Sequence, residues 1–170
     1  MDHLPELGPL VPDPSLPELR ESAPVPVPYF DGARLPVTLA GADDDADPAA
    51  YAEAVRRALG LTPADRAAAA PYVHAYYADT REASDGVDFD VAEPAGVWAH
   101  VRPRGLWVAR DAYDGHVYAA FHAECDWEPE HGLQLVYRGG AVLARVGPQD
   151  GHHTNRSAYG LPDGESPIYR

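Results

Sequence analysis

Residues 117–146, VYAAFHAECDWEPEHGLQLVYRGGAVLARV, decide the fold class of this 170-residue chain. Successive side chains on a strand point to opposite faces, so Val117, Ala119, Phe121 and Ala123 fall together and Tyr118, His122 and Glu124 oppose them. Leu133, Leu135 and Tyr137 continue the first face on the next run, which makes these seven residues the expected core. Gly139-Gly140 then leads directly into Ala141–Val146. A parallel crossover needs a dozen residues or more, so the neighbours must be antiparallel. Upstream, Val97–Val101 and Leu106–Arg110 carry the same β-rich pattern, separated from each other and from residue 117 by Arg104-Gly105 and Asp114-Gly115. The pattern predicts an antiparallel meander of four or five strands.

Before residue 86 the periodicity is different. Asp47-Pro48 offers a capping carboxylate and a proline at the first helical position, and Tyr51, Val55, Ala58 and Leu59 recur at helical spacing up to Gly60. Thr62-Pro63-Ala64-Asp65 repeats the start signal. Pro71 cannot donate to the helical ladder, so it predicts a short or kinked second helix and a third one behind it, with Val73, Tyr76, Tyr77 and Thr80 facing inward. Val25, Val27, Tyr29 and Phe30, the Asp31-Gly32 turn, and Leu35, Val37 and Leu39 read as a β-hairpin. The fold class expected is therefore α+β: an N-terminal β-hairpin, two or three short helices, then the meander, with helices on one face. Pro5, Pro9, Pro12, Pro14, Pro17, Pro24, Pro26 and Pro28 mark residues 1–28 as an extended arm. Residues 29–160 form one domain and 161–170 a loose tail.

A chain of this length buries a core without disulfides or a structural metal. Cys125, the single cysteine, has no internal partner, and neither a signal peptide nor an apolar span opens the chain, which points to a reducing cytosol. The formal net charge is −14, from 27 acidic and 13 basic residues, and every basic residue is arginine. That balance excludes nucleic acid, whose phosphates need clustered cations, and suits either simple solubility or a basic protein partner. No membrane association is expected, and the state expected is a monomer or weak dimer.

The densest polar stretches are CDWEPEHGLQLVYRGG, residues 125–140, and VGPQDGHHTN, residues 146–155. Cys125, Trp127, Glu128, Glu130, His131, Gly132, Leu133, Asp150, Gly151, His152 and Thr154 together resemble the signature of an uncharacterised bacterial domain family of unknown function. The resemblance covers the C-terminal third and the Val97-Trp98 segment. His153 departs from it, standing where the pattern has a hydrophobic residue. What the resemblance implies is a shared fold and site, with no reaction attached.

Read on their own chemistry, these residues admit two uses. Antiparallel pairing returns the turns around His131 and His152 to one end of the sheet, where Glu128, Glu130, His131, Asp150 and His152 could hold Zn²⁺ or Mn²⁺ or supply a general base. Candidate ligands are Glu130, His131, Asp150 and His152. Equally, Cys125, Trp127, Glu128, Glu130, His131, Asp150, His152 and Thr154 can form a structural bracket, with carboxylates accepting turn amides and Trp127 capping the core. No cofactor is then expected.

Other chemistries find less support, and Cys125 reads first as a buried small hydrophobe at a strand end. Cys125 lies between Glu124 and Asp126, which oppose a thiolate whichever of His122, His131 and His152 stands near, and Ser84 and Ser157 lie in no nucleophile elbow. Asp43, Asp45 and Asp47 echo a calcium loop, but Pro48 and Ala54 stand where it needs glycine and a bidentate glutamate. Gly139-Gly140 has no lysine or following helix to cradle a phosphate.

The function expected is a non-enzymatic binding module, of which a toxin-neutralising immunity protein is one concrete version, with Trp98 and Trp107 as aromatic anchors and the runs Asp43–Asp47 and Asp85–Glu93 as contacts. The rival is a metal-dependent hydrolase built on the Glu/His/Asp cluster.

Overall fold

The computed structural model describes residues 1–84, 86–162 and 164–169. In chain order the elements are β1 (His3–Leu4), β2 (Gly8–Pro12), β3 (Leu19–Ser22), β4 (Val25–Val27), β5 (Ala33–Leu35), β6 (Val37–Ala40), α1 (Pro48–Leu59), α2 (Pro63–Ala83), β7 (Val101–Arg110), β8 (Val117–Cys125), β9 (Leu133–Arg138), β10 (Val142–Gly147) and α3 (Asn155–Tyr159). Short 3₁₀ helices span Pro28–Phe30 and Pro94–His100. Among the described residues no helix is long and apolar enough to cross a membrane.

The chain is α+β, and its meander is four strands, β7 to β10, each antiparallel to the next. The sheet is larger than the meander. β6 joins β7 in parallel, and β3, β2 and β1 extend the order to eight strands, β1-β2-β3-β6-β7-β8-β9-β10. The expected run of strand at Val97–Val101 is corrected: Pro94 fixes φ for a 3₁₀ turn that buries Val97, and the strand starts only at Val101, continuing through Arg104-Gly105 as a bulge.

Residues 1–28 are extended, as the prolines require, but they are not an arm. They supply β1 to β4, with Leu4, Leu7, Leu10 and Val27 in the core. Pro9 and Pro12 are tolerated because each stands at the end of its paired stretch, opposite His3 and Arg20. The expected hairpin is also divided. β4 pairs β5 across a turn with Asp31 and Gly32 at φ 54° and 82°, whereas Val37 and Leu39 pass beyond Pro36 into the large sheet. The tail is pinned: the Ile168 carbonyl accepts from Val146 N at 2.8 Å, and Ile168 and Tyr169 pack on the core.

Helix α1 forms as its caps dictate, with Asp47 Oδ1 accepting from Ala50 N at 3.3 Å and Gly60 closing the end. Helix α2 opens on a capping box, Thr62 with Asp65, and runs unbroken through Pro71. The expected third helix is therefore absent as a separate element. Ala67, the residue whose carbonyl Pro71 leaves without its helical donor, is on the exposed side, where solvent can serve the oxygen.

The core lies between the helices and the Val117/Phe121 face of the sheet. All seven residues assigned to it from alternation are buried. Tyr29 stacks on Phe121, centroids 4.8 Å apart, and accepts a 3.0 Å hydrogen bond from the Tyr137 hydroxyl, so no polar group is stranded there. The opposite face carries a smaller cluster, Tyr118, Ala120 and Val136, covered in part by the segment that leads into α3.

Candidate functional site

The turns around His131 and His152 do meet. Gln149 N donates to the His131 carbonyl at 3.1 Å, and the Gln149 side-chain amide donates to the carbonyls of Ala123 and Leu133. Gly132, at φ 62°, leaves room for this approach, because a Cβ there would overlap the Ala123 carbonyl and Gln149 Nε2.

Their side chains, however, separate into two sites. In the first, Glu128 Oε1 accepts from the amides of Glu130 and His131, both at 3.2 Å. His131 Nδ1 is 3.5 Å from Glu128 and Nε2 is 4.0 Å from Glu130. These three residues could present ligand atoms within 4.8 Å of one another, yet Glu130 is 82% exposed and His131 51%. Asp150 and His152 do not join them.

Asp150 instead turns to Arg145, a residue the sequence reading did not single out. Alternation places Arg145 opposite Val136, on the Tyr118 face. Its side chain is fully buried. Arg145 Nη1 and Nη2 donate to the two Asp150 oxygens at 2.5 and 2.6 Å, Nε to Asn155 Oδ1 at 2.8 Å, and Nη1 also to the His152 carbonyl at 2.7 Å. Gln134 Nε2 donates to the same carbonyl at 2.9 Å, and Asn155 Nδ2 donates to the carbonyls of Pro167 and Ile168. The fork of the guanidinium thus fixes a turn, a helix start and the tail at once. Burial works to raise the Asp150 carboxyl, but Arg145 outweighs it and holds the carboxyl below its ordinary range. One signal was available in sequence: Arg145 is the charged residue inside the apolar run AVLARV.

Thr154 caps α3 by accepting from Ser157 N at 3.1 Å, and His152 Nδ1 is 3.3 Å from the Ser157 hydroxyl. His153 lies 2.7 Å from Asp111 Oδ2 and stacks on Tyr118 at 5.2 Å, so its imidazole has partners on this face. His122 stacks beside Trp107 on that same face, and burial, assisted by His153, pushes its pKa down to about 4. Cys125 and Trp127 point the other way, into the core. Burial pushes the Cys125 thiol up to about 12, and its Sγ contacts the Glu128 carbonyl at 3.7 Å. Of the histidines considered as its activators, His122 is on the opposite face of β8, His131 approaches Glu128 and Glu130, and His152 approaches Ser157.

The acidic run Asp43–Asp47 is largely engaged internally. Asp43 pairs with Arg20 and the N-terminal amine. Asp45 accepts from Arg110 at 2.6 and 2.8 Å, and that bond, with the Asp47 amide, lowers its carboxyl to about 2. Asp47 caps α1, and Asp44 remains exposed. In the run Asp85–Glu93, Asp85 lies outside the described residues, Asp90 pairs with Arg81 at 2.5 Å, and Asp88 and Glu93 are exposed.

A family profile described as a domain of unknown function (DUF6985) matches residues 6–154, and the chain belongs to that family. The matched span takes in both turns, Arg145 and all but the first of the N-terminal strands, and stops just before Asn155. No curated protein and no solved structure matches the chain.

Proposed function

Proceeding from membership of a family whose description carries no activity, we propose that this chain is a non-enzymatic binding module of the cytosol that engages a basic protein. Neutralisation of a basic toxin, as by an immunity protein, is the concrete version. One observation carries the reading, namely where the opposing charges go. Arg20, Arg56, Arg57, Arg66, Arg81, Arg102, Arg104, Arg110 and Arg145 all stand in internal ion pairs. Glu18, Glu21, Asp44, Glu82, Asp88 and Glu93 are exposed and have no ion pair among the described residues. Most of the arginines are thus matched by a carboxylate of the same chain, Arg34 and Arg138 being exposed without an ion pair among the described residues, while the six carboxylates face solvent unmatched, which supports a net charge of −14 that acts outward as a field attracting cations.

The test compares the wild-type chain with a variant carrying Glu→Gln and Asp→Asn at those six positions. A basic protein captured from the source cells by the wild type is purified, and its association is followed by stopped flow at low and high salt. The expected result is an on-rate that falls about tenfold or more in the variant and drops with salt in the wild type. An on-rate indifferent to both removes the proposal.

The metal-dependent hydrolase has narrower support, the approach of Glu128, Glu130 and His131. Calorimetric titration of the chain with Zn²⁺ and with Mn²⁺ tests it. Stoichiometric binding abolished by His131→Ala would favour that reading.

A further inference from the structure

Beside the part of the Tyr118 face that the segment before α3 covers, one line of facing residues crosses three strands: Glu21 on β3, Thr38 on β6 and Trp107 on β7. Adjacent strands lie about 4.8 Å apart, so Glu21 and Trp107 stand roughly 10 Å from each other at the backbone, with the short Thr38 side chain between them. Together with Arg104 and His122, these residues line a cleft of about 250 Å³.

The Trp107 indole is half-buried. On the β8 side the His122 ring lies nearly parallel to it, with centroids 6.2 Å and planes 15° apart. Thr38 and Glu21 are on its other side, so a ring flanks the indole towards β8 and the cleft flanks it towards β6. The charges of the lining decide what suits this space. Arg104 donates to Glu124 through Nε at 2.8 Å and through Nη2, so its cation is already matched. His122 is neutral near pH 7, because burial above all holds its pKa at about 4. Glu21 is exposed and has no ion pair among the described residues. One unmatched carboxylate therefore faces an indole across a narrow slot.

Resting on the reading of the chain as a binder of a basic protein, we infer that this slot holds one arginine side chain of that partner. Its guanidinium lies on the Trp107 indole, and its N–H groups donate to the Glu21 carboxylate. Tryptophan is the best aromatic partner for a cation, and a planar guanidinium can stack on the ring while its edge serves a carboxylate. A lysine ammonium has no plane to stack, and an acidic side chain would be repelled by Glu21. Two jobs are thereby separated. Glu18, Asp44, Glu82, Asp88 and Glu93, exposed elsewhere, speed the encounter, and the slot at Trp107 slows departure.

The probes are tripeptides, acetyl-Gly-Xaa-Gly-amide with arginine, lysine, citrulline or glutamate in the middle, titrated at constant ionic strength into the ¹⁵N-labelled full chain. Amide and indole shifts report where each one binds and how tightly. The expected result is that the arginine peptide binds tightest and moves the Trp107 indole N–H and the Thr38 amide, while the Trp98 and Trp127 indoles stay still. Glu21→Gln and Trp107→Leu should each weaken that binding about threefold or more, whereas Glu82→Gln on α2 should leave it unchanged. Glu21 is exposed, so Glu21→Gln carries the test should Trp107→Leu fail to fold. The slot assignment is overturned if the lysine or citrulline peptide binds as tightly, if no peptide binds, or if Glu21→Gln changes nothing. Shifts around Glu82, Asp88 or Glu93 in place of Trp107 would also overturn it, while the basic-partner reading stands. Preference for the glutamate peptide would end both.

Discussion

Replacing Asp150 by alanine should be among the more damaging single changes on the Tyr118 face, because it strands a cation. Arg145 is fully buried and gives two of its donors to Asp150, at 2.5 and 2.6 Å, and others to Asn155 and the His152 carbonyl. Breaking a buried pair from one side costs about 3–5 kcal/mol, chiefly the penalty of an uncompensated charge. Asp150 is itself 32% exposed, so water entering the vacated space recovers part of that penalty. The expected loss for Asp150→Ala is therefore about 2–4 kcal/mol. For a domain of this size that corresponds to roughly 5–15 °C in Tm. Urea denaturation of the wild type, Asp150→Ala, Arg145→Met and the double variant closes a thermodynamic cycle. Removing the cation together with its partner should restore at least about 1.5 kcal/mol relative to the sum of the single changes, the scale of coupling between groups in one network. A loss below about 1 kcal/mol for Asp150→Ala, or strict additivity in the cycle, would show that the guanidinium is not held by this carboxylate.

His122 titrates at about 4 in the folded chain against about 6.5 when unfolded, because burial, and secondarily His153, disfavours its charged form. The unfolded state then binds more protons, so the contribution is complete above pH ~6.5 and is lost as pH falls toward ~4, at most about 3 kcal/mol. In urea melts across that window, His122→Gln should flatten the slope; an unchanged slope would place the titration elsewhere. Cys125 should resist Ellman's reagent in the native state and react at the rate of unfolding, since burial raises its thiol to about 12; immediate labelling would contradict its core position. Gly140 sits at φ 74°, where a Cβ would overlap the Ala54 carbonyl, whereas Gly139 at φ 56° faces open space. Gly140→Ala should cost more than Gly139→Ala, which bears only the left-handed penalty of about 1–2 kcal/mol; equal melting temperatures would refute the close approach of this turn to α1.

The parts of the fold legible in sequence are those governed by local chemistry. Asp47-Pro48 and Thr62–Asp65 start helices because their side chains satisfy the first amides wherever the helix lies. The alternation at 117–123 and 133–137 assigns the main core face regardless of context, whereas the burial of Tyr118, Ala120 and Val136 on the other face depends on the segment that folds over it. Pro71 misled because its cost depends on which side of the helix it occupies, and periodicity around it, diluted by alanines at 67–70, does not say. The prolines of residues 1–28 likewise permit a strand end or a free arm, and only pairing with β6 decides. At the candidate site, adjacency of the two turns followed from antiparallel pairing, whereas the destination of Asp150 did not. Arg145 competes for it, and that competition between Arg145 and the His131 turn is set by the pleat of β10, shifted by its bulge between Leu143 and Arg145.

The parallel junction of β6 with β7 also shapes how the chain must assemble. Its facing residues, Val37 with Leu106 through Ala40 with Ala109, are about 70 positions apart, and both long helices are threaded between them. Strands β7 to β10 close through neighbouring hairpins and need nothing from upstream to begin. Until residues 37–40 dock, one margin of that half-sheet stays unsatisfied and available to any extended peptide, including another copy of the same chain. Refolding at high concentration therefore exposes this seam to mispairing.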